Sequence, residues 1–312
     1  MQKLKLREAD KLEVTILEDN YTDLLSLQDT DVLKRPRIPP PNSLLAAHGL
    51  SCLIKVYADS EIYTVLMDAG ISETSLLHNM AILGIDPTTI ESIVLSHGHF
   101  DHFGGLVGIL ERTKQEIPLV LHPEAFLQRR LNIPRREKPV NMPTLSEQNL
   151  KETGASLNKS KKPSTVASDL ILISGEVERV TDFEKGFPWA EAKIEDNWSL
   201  DPFNDDQGIA VKVKDRGLVV IGGCSHAGII NTVKYLTKIA QTESVHAVLG
   251  GFHLTGPAFE SVIAPTIEEM KNISPDFIVP MHCTGWKAIN QFAKEMSREF
   301  FLNTVGTTYV FQ

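Results

Sequence analysis

The chain contains 312 residues, of which 42% are hydrophobic and 23% are charged, so neither long disorder nor a collagen-like repeat describes it. Its formal net charge of −9 argues against a general nucleic-acid binder, and no apolar run reaches the roughly 18 residues needed to cross a bilayer. The three cysteines are too few for a disulfide framework, and the N-terminal residues lack the apolar stretch of a secretory signal. We therefore expect a cytoplasmic protein whose partners are neither nucleic acids nor membranes.

A strand, a short polar loop and a helix recur along the chain, a pattern typical of α/β proteins. The predicted units are Tyr63–Met67 followed by Glu73–Leu83, Ser92–Leu95 followed by Gly104–Lys114, Leu218–Ile221 followed by Ile229–Ala240, Ala247–Leu249 followed by Val262–Lys271, and Phe277–Val279 followed by Lys287–Glu295.

Two predicted hairpins interrupt this alternation, so the sheets should mix parallel and antiparallel pairs. Leu50–Tyr57 is expected to pair with Ile62–Met67, and Gly208–Lys214 with Leu218–Ile221. Residues 141–168 are polar and predict a long surface insertion or lid. No linker divides the chain, so we expect one domain over residues 1–312.

The strongest chemical signal is the segment Ser96–His102 (SHGHFDH), which follows a predicted buried strand. Alternate residues of an extended loop point the same way, so His97 and His99 can hold one cation. Asp101 and His102, from the next turn, can hold a second. Imidazole suits zinc, iron, manganese or copper, and the carboxylate oxygen gives the second site a harder set of ligands. A histidine-rich surface loop is the alternative.

This H-x-H-x-D-H segment, with Gly104-Gly105 behind it, resembles the metallo-β-lactamase superfamily, and the resemblance covers nearly the whole chain. Several stretches are similar to the branch that contains 7,8-dihydropterin-6-methyl-4-(β-D-ribofuranosyl)aminobenzene-5′-phosphate synthase. These stretches are Leu44–Ser51 (LLAAHGLS), Ser96–Leu106 (SHGHFDHFGGL), Gly222–Ile229 (GGCSHAGI), Gly250–Leu254 (GGFHL) and His282–Gly285 (HCTG).

The resemblance implies an αββα sandwich of two mixed sheets flanked by helices, with a binuclear site at the strand ends. Two divalent metal ions, zinc first and manganese or iron as alternatives, would activate a water or hydroxide between them. Asp68, at the end of a strand, resembles a carboxylate that the superfamily places behind a metal ligand.

The remaining ligands follow other strand ends. His226 would complete the first site and His282 the second, although His226 could instead cap its own helix. The superfamily usually has a bridging aspartate where this chain has Gly222-Gly223-Cys224. Cys224 could therefore bind metal as a thiolate or be a small buried residue. Asp206 could supply a carboxylate at the site or bond its own turn.

Four further residues are candidates for contact with a substrate. We expect His253, together with Asp101, to be catalytic, as a general acid or a phosphate contact. His48 precedes a strand and could reach the mouth of the site. Arg129, in a cluster of arginines, could bind phosphate, although a charge run is more often a solvated face. Trp286 adjoins a ligand candidate and is the preferred tryptophan for stacking on a ring, whereas packing is expected for the other two.

The leading function is hydrolysis of a phosphate-containing small metabolite by a metal-bound hydroxide. The first alternative is transfer of a pterin group from its pyrophosphate, as the resemblance to the synthase branch implies. The second alternative is a non-catalytic ligand-binding protein on the same fold. All three predict a small-molecule partner, and a homodimer is compatible with each.

Overall fold

The computed structural model describes residues 5–113 and 116–312. In chain order its strands are β1 (Glu8–Ala9), β2 (Lys11–Glu18), β3 (Leu33–Lys34), β4 (Ser51–Ala58), β5 (Glu61–Met67), β6 (Ser92–Val94), β7 (Ile117–Leu121), β8 (Arg129–Leu131), β9 (Val140–Asn141), β10 (Ala155–Lys159), β11 (Ser164–Val166), β12 (Ile171–Ile173), β13 (Ala190–Ile194), β14 (Asn197–Leu200), β15 (Ile209–Val213), β16 (Gly217–Gly222), β17 (Val245–Gly251), β18 (Phe277–Met281) and β19 (Thr308–Phe311). Its helices are α1 (Glu73–Leu83), α2 (Phe100–Phe103), α3 (Leu106–Thr113), α4 (Glu147–Glu152), α5 (Ile229–Ala240), α6 (Glu260–Ile273) and α7 (Trp286–Glu295).

Most strands belong to two mixed sheets. The first has the order β10-β7-β6-β5-β4-β2-β19-β3, with parallel pairs from β10 to β5 and antiparallel pairs beyond. The second has the order β11-β12-β15-β16-β17-β18, with β1 beside β15, and is parallel from β16 to β18. Both predicted hairpins are present, as the antiparallel pairs β4–β5 and β15–β16.

The layers follow from the alternation of side chains along the strands. On β4 and β5, Ile54 and Val65 face a core between the two sheets, which they share with Val211 and Leu249 of the second sheet. The intervening Leu66 faces outward onto α1 and α3. The outer face of the second sheet packs in the same way against α5, α6 and α7. The predicted αββα sandwich is confirmed.

Local signals explain why several helix bounds could be predicted. Helices α1 and α5 have the predicted bounds, because each lies between clear start and stop residues. The Ser72 side chain accepts a hydrogen bond from the Ser75 amide at the start of α1, and Gly84 ends the helix in the left-handed conformation at φ 68°. Lys114, the predicted end of α3, lies outside the described residues.

Residues 141–168 differ from the predicted irregular lid. They include α4 and two strands that extend the large sheets, β10 beside β7 and β11 beside β12. The open edges of both sheets explain this, because an edge strand offers unpaired backbone groups to any neighbouring extended segment. A third sheet that the sequence did not reveal has the order β14-β13-β8-β9. No helix among the described residues is long and apolar enough to span a membrane.

Candidate metal centre

The candidate ligands lie in loops that leave the carboxyl ends of strands in both sheets. His97 and His99 follow β6, while Asp101 and His102 lie on the short helix α2. The loops after β16, β17 and β18 carry the candidates of the second sheet, which are Cys224, His226, His253 and His282. Because parallel strands end at the same edge, residues far apart in the sequence converge there.

The first group of side chains contains His97, His99 and His226, whose ligand atoms all lie within 4.8 Å of one another. The Nε2 atom of His226 is 3.2 Å from Nδ1 of His99. Within the part of the chain that the structure describes, His97 Nε2 and His226 Nδ1 are buried without a hydrogen-bond partner. Such orphaned nitrogens cost free energy unless a ligand satisfies them.

The second group contains Asp101, His102, Cys224 and His282, with ligand atoms again within 4.8 Å. Nε2 of His102 is 3.1 Å from the Cys224 sulfur, and Nε2 of His282 is 3.4 Å from Oδ2 of Asp101. The structure thus brings the seven ligand candidates together in two adjacent groups, with the Cys224 thiol beside His102.

The histidines of the first group are neutral. Burial lowers the pKa of His97 and of His226 well below the usual value, and the neighbouring imidazoles lower it further. The pKa of His99 is lowered in the same way, by burial and then by Arg129. A neutral imidazole keeps the lone pair that a metal ligand needs.

Negative charge distinguishes the second group. Burial alone would lower the pKa of His102, but the carboxylates of Asp68 and Asp101 outweigh it and raise that pKa. For Asp101, burial acts to raise the pKa, whereas His102 and His282 outweigh it and hold the carboxyl ionised. Burial raises the pKa of Cys224 well above the usual value, so a cation is needed to hold it as a thiolate.

Asp68 lies behind this group, where the sequence places it. Its Oδ1 accepts a hydrogen bond from the Ser96 amide at 2.7 Å, and its Oδ2 accepts from the Ser96 hydroxyl at 2.7 Å. Nδ1 of His102 is 2.6 Å from the same Oδ2. A carboxylate in this position fixes the tautomer of the histidine and leaves Nε2 facing the group.

Sequence reasoning missed two further carboxylates with a similar role. Asp19 accepts from the His282 amide at 2.8 Å and from the Asn303 side chain at 2.7 Å. Asp205 accepts from the Gly98 amide at 2.8 Å, in the middle of the histidine motif. Asp19 could have been found from its position, because it directly follows strand β2 just as Asp68 directly follows β5.

The residues present fit divalent cations. Imidazole nitrogens, a carboxylate oxygen and a thiol are the donors that zinc and related metals take. Nδ1 of His282 is buried without a hydrogen-bond partner among the described residues, as are the orphaned atoms of the first group. Each group can therefore hold a metal ion.

A cavity of about 330 Å³, which we call the aromatic cavity, opens onto both groups. One wall contains His99, Asp101, Cys224 and His226. Another part of the lining consists of aromatic and aliphatic side chains, which are Phe100, Leu131, Met142, Phe187, Trp189 and Phe259. Leu131 and Trp189 come from or adjoin the third sheet, which therefore forms a wall of the site.

The tryptophan assignments are corrected by this cavity. Trp189, for which only packing was expected, lines it and is half-buried. Trp286, the preferred stacking residue, is 73% exposed and borders a separate cavity beside Asn20 and Leu302. Trp286 begins α7, which turns its ring away from the ligand groups even though it is only four residues from His282.

Arg129 is also corrected. Its side chain is 3% exposed and is engaged by Asp201 and Asp205, each at 2.7 Å. It also donates to the Gly98 carbonyl at 3.5 Å. The guanidinium therefore holds the histidine loop in place and is not free to bind a substrate phosphate.

Asp206 lies behind the first group and outside both sets of ligand atoms. Its Oδ2 accepts from the Ala227 amide at 2.9 Å, which orders the loop that carries His226. Its Oδ1 is buried without a partner among the described residues, and burial raises its pKa to about 6. Asp206, from which the sequence predicts a carboxylate at the site, does not line the aromatic cavity.

His48 and His253 both line the aromatic cavity without belonging to a ligand group. The His48 side chain is 59% exposed, and its Nε2 is 3.8 Å from Oδ2 of Asp101. The His253 ring centroid is 4.2 Å from that of His226. Burial lowers the pKa of His253 to about 4, so the ring is neutral at pH 7.

Residues 56–232 match the family model of the metallo-beta-lactamase superfamily. The chain belongs to the metallo-β-lactamase superfamily. It is 34% identical over 256 residues to the 7,8-dihydropterin-6-methyl-4-(beta-D-ribofuranosyl)-aminobenzene-5′-phosphate synthase of Methanocaldococcus jannaschii, covering 81% of this chain and 86% of that protein. It is 33% identical over 252 residues to an uncharacterized protein of the same organism, covering 80% of this chain and 88% of that protein.

A solved structure described as a metal-dependent hydrolase of the beta-lactamase superfamily superposes with a TM-score of 0.73, at 23% identity, over 95% of this chain and 98% of that one. This likeness shows that the metallo-β-lactamase fold extends over nearly the whole chain. As a superfamily member with a synthase among its relatives, the chain is an enzyme, and both hydrolase and transferase activities fit it.

Proposed function

We propose that this enzyme transfers a pterin-methyl group from a pyrophosphate ester to the nitrogen of an aminobenzene that carries a ribose phosphate. The observation that carries the proposal is the aromatic cavity, which is lined both by metal-ligand candidates and by aromatic rings. A flat heterocycle suits the aromatic rings of this lining, and its pyrophosphate arm would then lie against the ligand groups. The similarity to the pterin-related synthase over 86% of that protein supports the same chemistry.

Two divalent cations are part of the proposal, with zinc first and manganese or iron as alternatives. His97, His99 and His226 would hold one, and Asp101, His102, His282 and Cys224 the other. The thiol favours zinc over harder cations, since sulfur is a soft ligand. When bound, the cations would supply positive charge for the phosphate oxygens and the leaving pyrophosphate.

In the proposed step, the amine nitrogen attacks the methylene carbon of the pterin ester. A C–N bond forms, the C–O bond to pyrophosphate breaks, and the bonding electron pair leaves on the pyrophosphate oxygen. The amine proton passes to a ring nitrogen of His253, which is neutral at pH 7 because burial lowers its pKa to about 4. Trp189 and Phe187 position the ring and exclude water from the methylene carbon.

The test is incubation of the metal-loaded enzyme with a pterin pyrophosphate and the aminobenzene riboside phosphate, followed by mass spectrometry. We expect a coupled product and pyrophosphate in equal amounts, formed only when both substrates are present. The His97→Ala variant should form no product while it still binds the riboside phosphate. Release of pyrophosphate without coupling would reject the transferase.

Hydrolysis of a phosphate-containing metabolite, the leading prediction from the sequence, is the second candidate. The observation in its favour is the His48 side chain, a solvent-exposed imidazole whose Nε2 lies 3.8 Å from Oδ2 of Asp101. The same assay identifies it, because a hydrolase would release pyrophosphate and the pterin alcohol at an unchanged rate when the amine is omitted.

A further inference from the structure

A second cavity of about 260 Å³, which we call the side cavity, adjoins the aromatic cavity. The two share four lining residues, which are His226, His253, Ala258 and Phe259. One shared residue, His226, belongs to the first ligand group. A molecule in either cavity therefore lies against the same ligand group.

Three packed rings form the partition between the cavities. The ring centroids of His253 and Phe259 are 4.8 Å apart, and Phe187 is 5.1 Å from His253 and 5.6 Å from Phe259. Phe187 faces the aromatic cavity, whereas its neighbours Gly186 and Pro188 line the side cavity. Because His253 and Phe259 line both cavities, their rings lie between the two spaces.

The chemistry of the side cavity differs from that of its neighbour. Phe252, Leu254 and Val262 give it an apolar part, and the exposed Lys185 gives it a cation. Lys185 makes no ion pair with any other residue that the structure describes. Glu184 also lines the side cavity, but its carboxylate is buried and already accepts hydrogen bonds from the amides of Ile230 and Asn231, so Lys185 is the exposed charge of the cavity.

We propose that the side cavity binds the acceptor of the transfer reaction, an aromatic amine bearing a phosphate, while the pyrophosphate ester occupies the aromatic cavity. This inference rests on the proposed function. A hydrolase needs space for one organic molecule and water, whereas a transferase must hold two organic molecules at once. Two cavities that share His226 and His253 satisfy that requirement. Holding both reactants in the enzyme also removes the entropic cost of bringing them together during the reaction.

Within the side cavity the ring of the acceptor lies against the apolar residues and its phosphate against Lys185. The amine then points to the partition at His253, the residue to which the proposed step gives the amine proton. Phe259 and Phe187 set the distance between the acceptor and the pyrophosphate ester. The partition therefore selects acceptors whose amine extends beyond one ring of the partition toward the ester.

Isothermal titration with 4-(β-D-ribofuranosyl)aminobenzene-5′-phosphate and with a pterin pyrophosphate tests the assignment, on both metal-free and metal-loaded enzyme. Ser261 is exposed on α6 and lines the side cavity, so Ser261→Trp should fill it. We expect this variant to weaken riboside phosphate binding by about tenfold or more. The affinity of this variant for the pterin pyrophosphate should stay within about twofold of the parent value. The control is Ala264→Trp, at an exposed position of the same helix that lines neither cavity, and its affinities for the riboside phosphate and for the pterin pyrophosphate should both stay within the same limit.

A second variant examines the phosphate contact. Lys185→Glu should weaken binding of the riboside phosphate much more than binding of the unphosphorylated riboside. Lys294→Glu, on the exposed face of α7, is the matched control and should change neither. An equal loss for the two ribosides would overturn the assignment of the phosphate to Lys185.

Competition separates this inference from the proposed function. If saturating pterin pyrophosphate displaces the riboside phosphate from the parent enzyme, the two-cavity assignment is overturned even when coupled product forms. If both molecules bind together and no coupled product forms, the assignment stands and the transferase proposal fails.

Discussion

The two ligand groups are neighbours, yet the protein builds them in opposite ways. The first consists of three neutral imidazoles, one of which, His226, stacks on the buried ring of Phe203 at 4.3 Å. The second combines a carboxylate, two imidazoles and a thiol, with Asp68 hydrogen-bonded behind it. The first group is therefore ready for a cation without losing protons, whereas in the second the Cys224 thiol must lose its proton as the cation binds, and His102 has a raised pKa.

The supports behind the groups differ as well. The first group is held through the backbone of its loop. The Gly98 amide donates a hydrogen bond to Asp205, and the Arg129 side chain donates one to the Gly98 carbonyl. The second group has a side-chain contact, between Asp68 and His102, in addition to the hydrogen bond from the His282 amide to Asp19. A substitution of Arg129, which contacts the backbone of the histidine loop and buried carboxylates, should therefore act mainly on folding, whereas one of Asp68, which contacts the His102 ring, should act mainly on metal affinity.

The largest effect is expected for Asp101→Ala. Removal of the only carboxylate in the two groups leaves the second cation without its charged ligand. Loss of a residue that only supports a metal ligand lowers activity by up to about 100-fold, so we expect loss of a ligand itself to lower activity by more than that. Elemental analysis should find that the metal content is halved. Full activity with unchanged metal content would show that Asp101 is not a ligand.

Asp68→Asn should have the next largest effect. The amide cannot hold the His102 Nδ1 proton as the carboxylate does, so metal affinity of the second group should fall by about 10- to 100-fold. The matched control is Asp276→Asn, which alters a similar contact of 2.6 Å to His246 on the opposite side of the fold. Equal metal affinities in the two variants would contradict the role given to Asp68.

Acid should release the two cations in order. Burial lowers the pKa of His97 and of His226, so protons displace the first cation only well below the ordinary histidine pKa of about 6.5. The pKa of His102 is raised, so protons compete for the second cation at higher pH. Metal content measured in the presence of a chelator should therefore fall in two steps as the pH is lowered. The single cation of Asp101→Ala should leave only in the more acidic step, and its loss in the earlier step would reverse the assignment.

The smallest effect on metal affinity is expected for Arg129→Met. This change leaves the buried carboxylates of Asp201 and Asp205 unpaired, which should lower the free energy of unfolding by about 3–5 kcal/mol. Urea unfolding measures the loss, and Arg130→Met, at a partly exposed ion pair, should cost less than about 1.5 kcal/mol. An increased KM with unchanged stability would restore Arg129 as a substrate contact.

Much of the site could be predicted because its residues are close in sequence or follow strands. His97, His99, Asp101 and His102 lie within six positions, and His226 and His282 each follow a predicted strand. The supporting carboxylates could not be predicted in the same way. Asp205 acts on Gly98 across 107 positions and Asp19 on His282 across 263, so only folding shows the contacts.

The sequence by itself determined the layered α/β architecture and the chemistry of the ligands, because hydrophobic periodicity and the H-x-H-x-D-H spacing are local properties of the chain. Only the tertiary structure decided which tryptophan faces the ligand groups and that Arg129 is buried in an ion-pair network. It alone also showed that two cavities meet at His226. Each of these depends on which distant segments pack together, and side chains of the same type act differently according to what surrounds them.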